Sequence, residues 1–104
     1  MDLKILYIIV NAGYATEIVD IARANGSTGA TILNARGSVS NPQTIFGITI
    51  DPEKEIVLII AKKDVAQKIM EGVKEKAGEG TSAHAVSFYM PVDMCTLDLE
   101  KKLD

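Results

Sequence analysis

Arg36-Gly37-Ser38 is the stretch of this chain best suited to chemistry. It stands where a β-branched and apolar run, residues 30–36, gives way to a polar stretch from Ser38 to Thr44 that contains Pro42. A guanidinium beside a glycine makes a small-anion site, because a fixed positive charge and backbone N–H groups converge on one point. The plainer reading is a surface arginine next to a turn glycine. Asn34 alternates with Arg36 and shares its face of a strand, as a ligand group or an exposed edge residue. A second polar loop, Glu79-Gly80-Thr81-Ser82-Ala83-His84, reads as a turn first and a phosphate contact second. His84 is the only histidine; at a strand start it reads as structural before it reads as a ligand or a pH-sensitive group. Cys95 has no histidine, cysteine or glycine-rich partner nearby in sequence and reads as a plain thiol. One histidine and one cysteine do not build a usual metal site. No general base or nucleophile stands beside an orienting partner, so the chain does not read as an enzyme. The enzymatic alternative is a small hydrolase in which Arg36 and Asn34 cradle an acyl phosphate.

The chain has 104 residues, which suits a single domain spanning 1–104. Hydrophobic residues make up 47%, enough for a real core without disulfides. A lone cysteine allows no internal disulfide and fits a reduced, cytoplasmic setting. No apolar run is long enough to cross a membrane as a helix, since that needs about 18 residues. Leu3 to Val10 reads as a strand rather than a signal peptide. The formal net charge is −3, there is no Trp, and the basic pairs are only Lys62-Lys63 and Lys101-Lys102. Nucleic-acid binding is therefore not expected.

The elements that would position these groups follow from periodicity. Leu3 to Val10 is apolar with almost no alternation, the mark of a strand buried on both faces. Asn11 is a fair N-cap for a helix over Tyr14 to Asn25, with Ala15, Ile18, Val19, Ile21 and Ala22 on its buried side. Gly26 closes it in the left-handed conformation. A strand over 30–36 leads into the loop at 37–43. Thr44 to Ile50 reads as an alternating strand with Phe46, Ile48 and Ile50 on one face. Asp51-Pro52-Glu53-Lys54 reads as a turn or bulge. Ile56 to Ile60 is again apolar on both faces. Pattern leaves open whether 44–50 and 55–61 are one bent strand or two. Asp64 caps a second helix with Gln67 in a capping-box spacing. Its buried stripe is Val65, Ala66, Ile69, Met70, Val73 and Ala77, and Gly78 and Gly80 end it. His84 to Met90 is the last strand, with Val86, Phe88 and Met90 on one side and Pro91 at its end. Thr96 to Asp104 could add one or two weak helical turns, with Leu99 and Leu103 four apart.

The order β-α-β-β-α-β implies an α+β, ferredoxin-like sandwich: a four-stranded antiparallel sheet with two helices on one face. In that topology the first and third strands are central, and these are the two that are apolar on both sides. One face of each meets the helices. The other stays in water unless further copies cover it, which at about 25 cal/mol per Å² forfeits many kcal/mol. An assembly that buries the open face is the main structural expectation.

The run Thr28-Gly29-Ala30-Thr31-Ile32-Leu33-Asn34-Ala35-Arg36-Gly37 resembles the second strand and T-loop base of the P-II nitrogen-regulatory signalling family, in particular its short-looped P-II-like members. The likeness extends from Ile5 to Val92. The resemblance implies a homotrimer whose sheets face the three-fold axis. It implies a small effector, ATP, ADP or AMP among the candidates, bound in clefts between subunits. It implies a T-loop that docks on a protein target, with nitrogen regulation as the setting and no catalysis. By position, Thr31 would line the adenine side, and Arg36, Gly37 and Ser38 would sit at the phosphate end. The neighbour's loop would contribute Gly80, Thr81, Ser82 and His84. The chain departs from the family in three places. The loop at 79–84 has no lysine, the T-loop is short and lacks the modified tyrosine, and Asn11-Ala12 replaces the usual Lys-Pro. A partner-binding trimer that has lost nucleotide binding is accordingly the second functional reading.

Overall fold

The computed structural model describes residues 2–38, 43–45, 48–50 and 52–97. Among these, six strands and two helices follow in the order β1 (Leu3–Asn11), α1 (Ala15–Ala24), β2 (Thr31–Arg36), β3 (Gln43–Ile45), β4 (Ile48–Ile50), β5 (Glu53–Lys62), α2 (Lys63–Ala77) and β6 (Val86–Pro91). The main sheet runs β2-β5-β1-β6 and is antiparallel throughout. The fold is the ferredoxin-like sandwich, and the two doubly apolar strands, β1 and β5, are its centre.

Period-2 geometry divides each central strand between two environments. Leu6, Ile8 and Val10 from β1 and Val57, Ile59 and Ala61 from β5 point to the helices and are buried. They pack against Ala15, Ile18 and Ala22 of α1 and Ala66, Ile69, Val73 and Ala77 of α2, the centres of the stripes expected from helical spacing; Val19, Val65 and Met70, expected in the same stripes, are only half-buried at their margins. On the other face Ile5, Tyr7 and Ile9 lie in register with Ile60, Leu58 and Ile56. These six are only half-buried, and neither helix covers them. Their neighbours on the edge strands are more open still: Leu33 is 44% exposed, Val86 52%, Phe88 42% and Met90 43%. Tyr7 and Phe88 stack there, with ring centroids 5.3 Å apart and planes 5° from parallel.

The end of α1 is a Schellman motif. Ser27 N–H donates to Ala22 O, Gly26 N–H donates to Arg23 O, and Gly26 takes φ +105, which a glycine adopts without steric cost. The start of neither helix is as the sequence suggests. Asn11 does not cap α1; it is the last residue of β1, and Tyr14 occupies the cap position without a side-chain bond. Asp64 does not cap α2 either. β5 runs without a break into the helix, so Lys62 is the cap residue, and Lys63 N–H donates to Asp2 O at 3.0 Å. Gln67 instead reaches the Tyr89 hydroxyl at 3.5 Å.

Thr44 to Ile50 is not one strand. β3 and β4 pair with each other as Gln43↔Ile50, Thr44↔Thr49 and Ile45↔Ile48, apart from the main sheet. The antiparallel pairing of these two short strands outweighs the alternation. Phe46, expected to share a face with Ile48 and Ile50, lies outside the described residues. Glu53 and Lys54 begin β5 rather than forming a turn, and Asp51 lies outside the described residues. His84 precedes β6 instead of starting it. The expected helical turns with Leu99 and Leu103 lie outside the described residues. No helix among the described residues is long and apolar enough to cross a membrane.

Truncating the helix-facing core should be costly and truncating the helix surface should not. Leu6→Ala is expected to lower the unfolding free energy by about 2–5 kcal/mol, and Gln67→Ala by no more than about 0.5 kcal/mol. Urea denaturation at one fixed protein concentration checks both.

Candidate functional site

An open cleft of about 480 Å³ lies at one end of the sheet, lined by Ala12, Gly13, Asn34, Ala35, Arg36, Glu53, Lys54 and Glu55. Three chain segments meet there: the end of β2, the start of β5 and the turn from β1 into α1. Register explains which side chains share it. Asn34 is opposite Glu55 and Arg36 is opposite Glu53, on the same sheet face as Ile32 and Val57. The turn after β1 closes the third side. Gly13 takes φ +96 and donates its N–H to Glu55 Oε1 at 2.6 Å, while Ala12 N–H donates to Glu53 O at 3.2 Å. A short bond to a carboxylate is among the stronger hydrogen bonds available to a backbone amide.

Asn11 ties this cleft to the second loop. Its Oδ1 accepts from Lys54 Nζ at 2.6 Å, its Nδ2 donates to Ser82 O at 2.9 Å, and its N–H donates to Ala83 O at 2.9 Å. Lys54 in turn lies against Gly37: a Cβ added to Gly37 would stand 3.2 Å from Lys54 Cε. The loop from Gly78 to His84 is braced from within. Thr81 Oγ1 donates to Gly78 O at 2.7 Å, and His84 N–H donates to Thr81 O at 3.2 Å. Ala85 N–H donates to Ala77 O at 2.8 Å and closes the loop onto the end of α2. Gly78 is required at the helix end, because an added Cβ would stand 2.6 Å from Lys74 O.

The residues expected to bind a ligand fall into three places. Arg36 is exposed and lines the cleft; Gly37 and Ser38 follow it in the chain and are not among the lining residues. Gly37 N–H is already committed to Pro52 O at 2.9 Å, so it is not free for an anion. Thr31 is at the far end of β2, roughly 16 Å from Arg36 at about 3.3 Å per residue, and does not line the cleft. Gly80, Thr81, Ser82 and His84 form the loop over the end of β1, toward the β6 edge of the sheet. Gly80 has φ +89. His84, at φ +46, is the only non-glycine residue with positive φ among the described residues. It is exposed, as are Gly80, Thr81 and Ser82. Arg36 and the Gly80–His84 loop thus lie on opposite flanks of β1 and β5, with Thr31 apart from both.

Sequence reasoning missed Asn11, Glu53, Lys54 and Glu55 as site residues. The alternation of Glu53 and Glu55 ahead of Val57 places both on the helix-side face, but only the β2–β5 register sets them opposite Arg36 and Asn34. Two glutamates balance Arg36 and Lys54 in the cleft, which is less favourable to a bare anion than Arg36-Gly37-Ser38 suggests. Cys95 is a half-buried free thiol. No cluster of metal-ligating side chains occurs among the described residues.

No protein-family model matches the sequence, and none of the curated proteins does. Solved structures do. A PII-like signalling protein of Thermus thermophilus is 21% identical, with 88% of this chain and 91% of that chain covered and a TM-score of 0.67. The B. subtilis GlnK–ATP complex is 15% identical over 88% of this chain and 84% of that one, with a TM-score of 0.68. CPII of Thiomonas intermedia, a nitrogen regulatory PII-like protein bound to ADP, AMP and bicarbonate, is 18% identical over 88% and 91%, with a TM-score of 0.66. The chain has the fold of the PII-like signalling proteins.

The Asn11 bridge makes a separable prediction. Asn11→Ala should speed amide exchange on both sides, at residues 35–37 and 82–84. Asn11→Asp keeps an acceptor for Lys54 but loses the donor to Ser82, so it should speed exchange at 82–84 alone. Hydrogen-exchange mass spectrometry reads both segments.

Proposed function

We propose that this chain is a PII-like signal-transduction protein. In this reading it forms a homotrimer, senses a small effector in clefts between subunits, and acts on a protein target through residues 37–53. The observation that carries the reading is the uncovered sheet face. Tyr7, Leu58 and Phe88 sit at its centre, with apolar neighbours along all four strands, and no described element of the same chain packs on it. Fully burying side chains of this size is worth about 1.5–3 kcal/mol each. Three copies around an axis supply that cover and leave no open end.

Closure also brings the two flanks together. β2 and β6 are opposite edges of the sheet, so a ring of identical copies sets the Arg36 flank of one subunit beside the Gly80–His84 flank of the next. Arg36, Gly37 and Ser38 then face Gly80, Thr81, Ser82 and His84 across the subunit boundary. A ligand that also reaches Thr31 has to run along the β2 edge and around it, because Thr31 and Arg36 lie on opposite sheet faces, which suits only an elongated molecule such as ATP, ADP or AMP. The GlnK and CPII structures with these nucleotides bound, on the same fold, support that class of effector. The protein acts by binding rather than catalysis, in the cytoplasm.

A second reading is a trimer that binds its partner without a nucleotide. It is favoured by Glu53 and Glu55 in the cleft, by the bonded Gly37 N–H and by the lack of a lysine at 79–84. A melting panel with ATP, ADP and AMP separates the two. Nucleotide at 100 times its dissociation constant should add about 2.7 kcal/mol per site, and Arg36→Ala should reduce the shift. A flat panel, together with specific capture of a protein by the 37–53 segment, supports the second reading.

A further inference from the structure

We propose that the cleft at the root of the 37–52 loop is a receptor for a small zwitterion of α-amino-acid type, its carboxylate held by Arg36 and Asn34 and its ammonium by Glu53. Four charged residues line the cleft, and two of them are already engaged. Lys54 Nζ is bonded to Asn11 Oδ1, and Glu55 Oε1 accepts from Gly13 N–H, both at 2.6 Å. Arg36 and Glu53 remain. They are direct partners in the β2–β5 register, so their Cβ atoms are about 4.5–5.5 Å apart. At that spacing an arginine and a glutamate reach each other easily. They do not pair: the only ion pair among the described residues is Lys4–Asp2. Both side chains are exposed at the cleft. Its volume falls within the range of about 300–1,000 Å³ usual for small-molecule sites.

What the cleft offers is thus one cation, one anion and one amide. A phosphate monoester is attracted by Arg36 and repelled by Glu53. A simple amine meets the reverse. A molecule with a carboxylate and an ammonium close together is attracted at both ends, and the Asn34 amide can donate to the carboxylate. Arg36 is the last residue of β2 and Glu53 the first of β5, so they are the two roots of the loop. A ligand bonded to both ties the roots together, adding to the Gly37–Pro52 hydrogen bond that already closes them. It therefore adds to the stability of the closed root at Gly37–Pro52. The signalling consequence rests on the reading of 37–53 as the output element; the binding itself does not.

The test uses the full ¹⁵N-labelled chain and the twenty L-α-amino acids, each at millimolar concentration. At least one should shift the amides of both Asn34–Ser38 and Glu53–Glu55. Arg36→Gln and Glu53→Gln, both at exposed positions, should each weaken that amino acid by about tenfold or more, as loss of a charge-assisted bond implies. The decisive control is the same acid without its amino group: Glu53→Gln should strengthen its binding, the opposite sign. No amide shift with any amino acid overturns the proposal. So does an amino-acid affinity unchanged by Glu53→Gln, which would leave Arg36 reading a carboxylate alone. AMP is titrated in parallel: binding of an amino acid without AMP keeps this site and removes the nucleotide effector, and binding of AMP without an amino acid does the reverse.

Discussion

Water on the second face of β1 and β5 is the constraint on which the rest of the structure depends. These strands hold the sheet together, and one side of each is sealed by α1 and α2. Their other side presents paired rows of isoleucine, leucine and tyrosine. A half-exposed antiparallel sheet would ordinarily carry polar residues on its solvent side. Lys62 and Lys54 bracket the apolar rows on this face, and between them neither central strand places a charge on it. The amino-acid choice makes sense for a surface that is covered in the working molecule.

The chain places the Arg36 cleft at one flank of the sheet and the Gly80–His84 loop at the other. Asn11 links the two mechanically, since the same side chain holds Lys54 under Gly37 and the carbonyl of Ser82. In a closed ring each subunit would then join two neighbouring clefts through one amide.

The sheet, its strand order and the buried helix stripes were legible in the sequence because they rest on periodicity and on burial of large apolar areas. Ala15, Ile18 and Ala22, and Ala66, Ile69 and Val73, fall where helical spacing puts them. The caps were not legible. Asn11 and Asp64 have the right side chains for N-caps, but β1 extends one residue further and β5 passes directly into α2, so tertiary continuity overrides local preference. The hairpin of β3 and β4 was hidden because Ile48 and Ile50 alternate as they would in a longer strand. Of the residues lining the cleft, Arg36 stood out through its type. Glu53, Lys54 and Glu55 did not, because their role comes from register with β2 and from the turn at Gly13, which no short window of sequence contains.

Mass in dilute solution tests the central claim most directly. Sedimentation equilibrium of the intact chain at micromolar concentration should give a particle of three subunits, with no lone subunit at measurable abundance. A stable single subunit of 11.2 kDa, persisting as the concentration is raised, would mean that the apolar sheet face lives in water, and both the shared cleft and the sensor built on it would have to be given up.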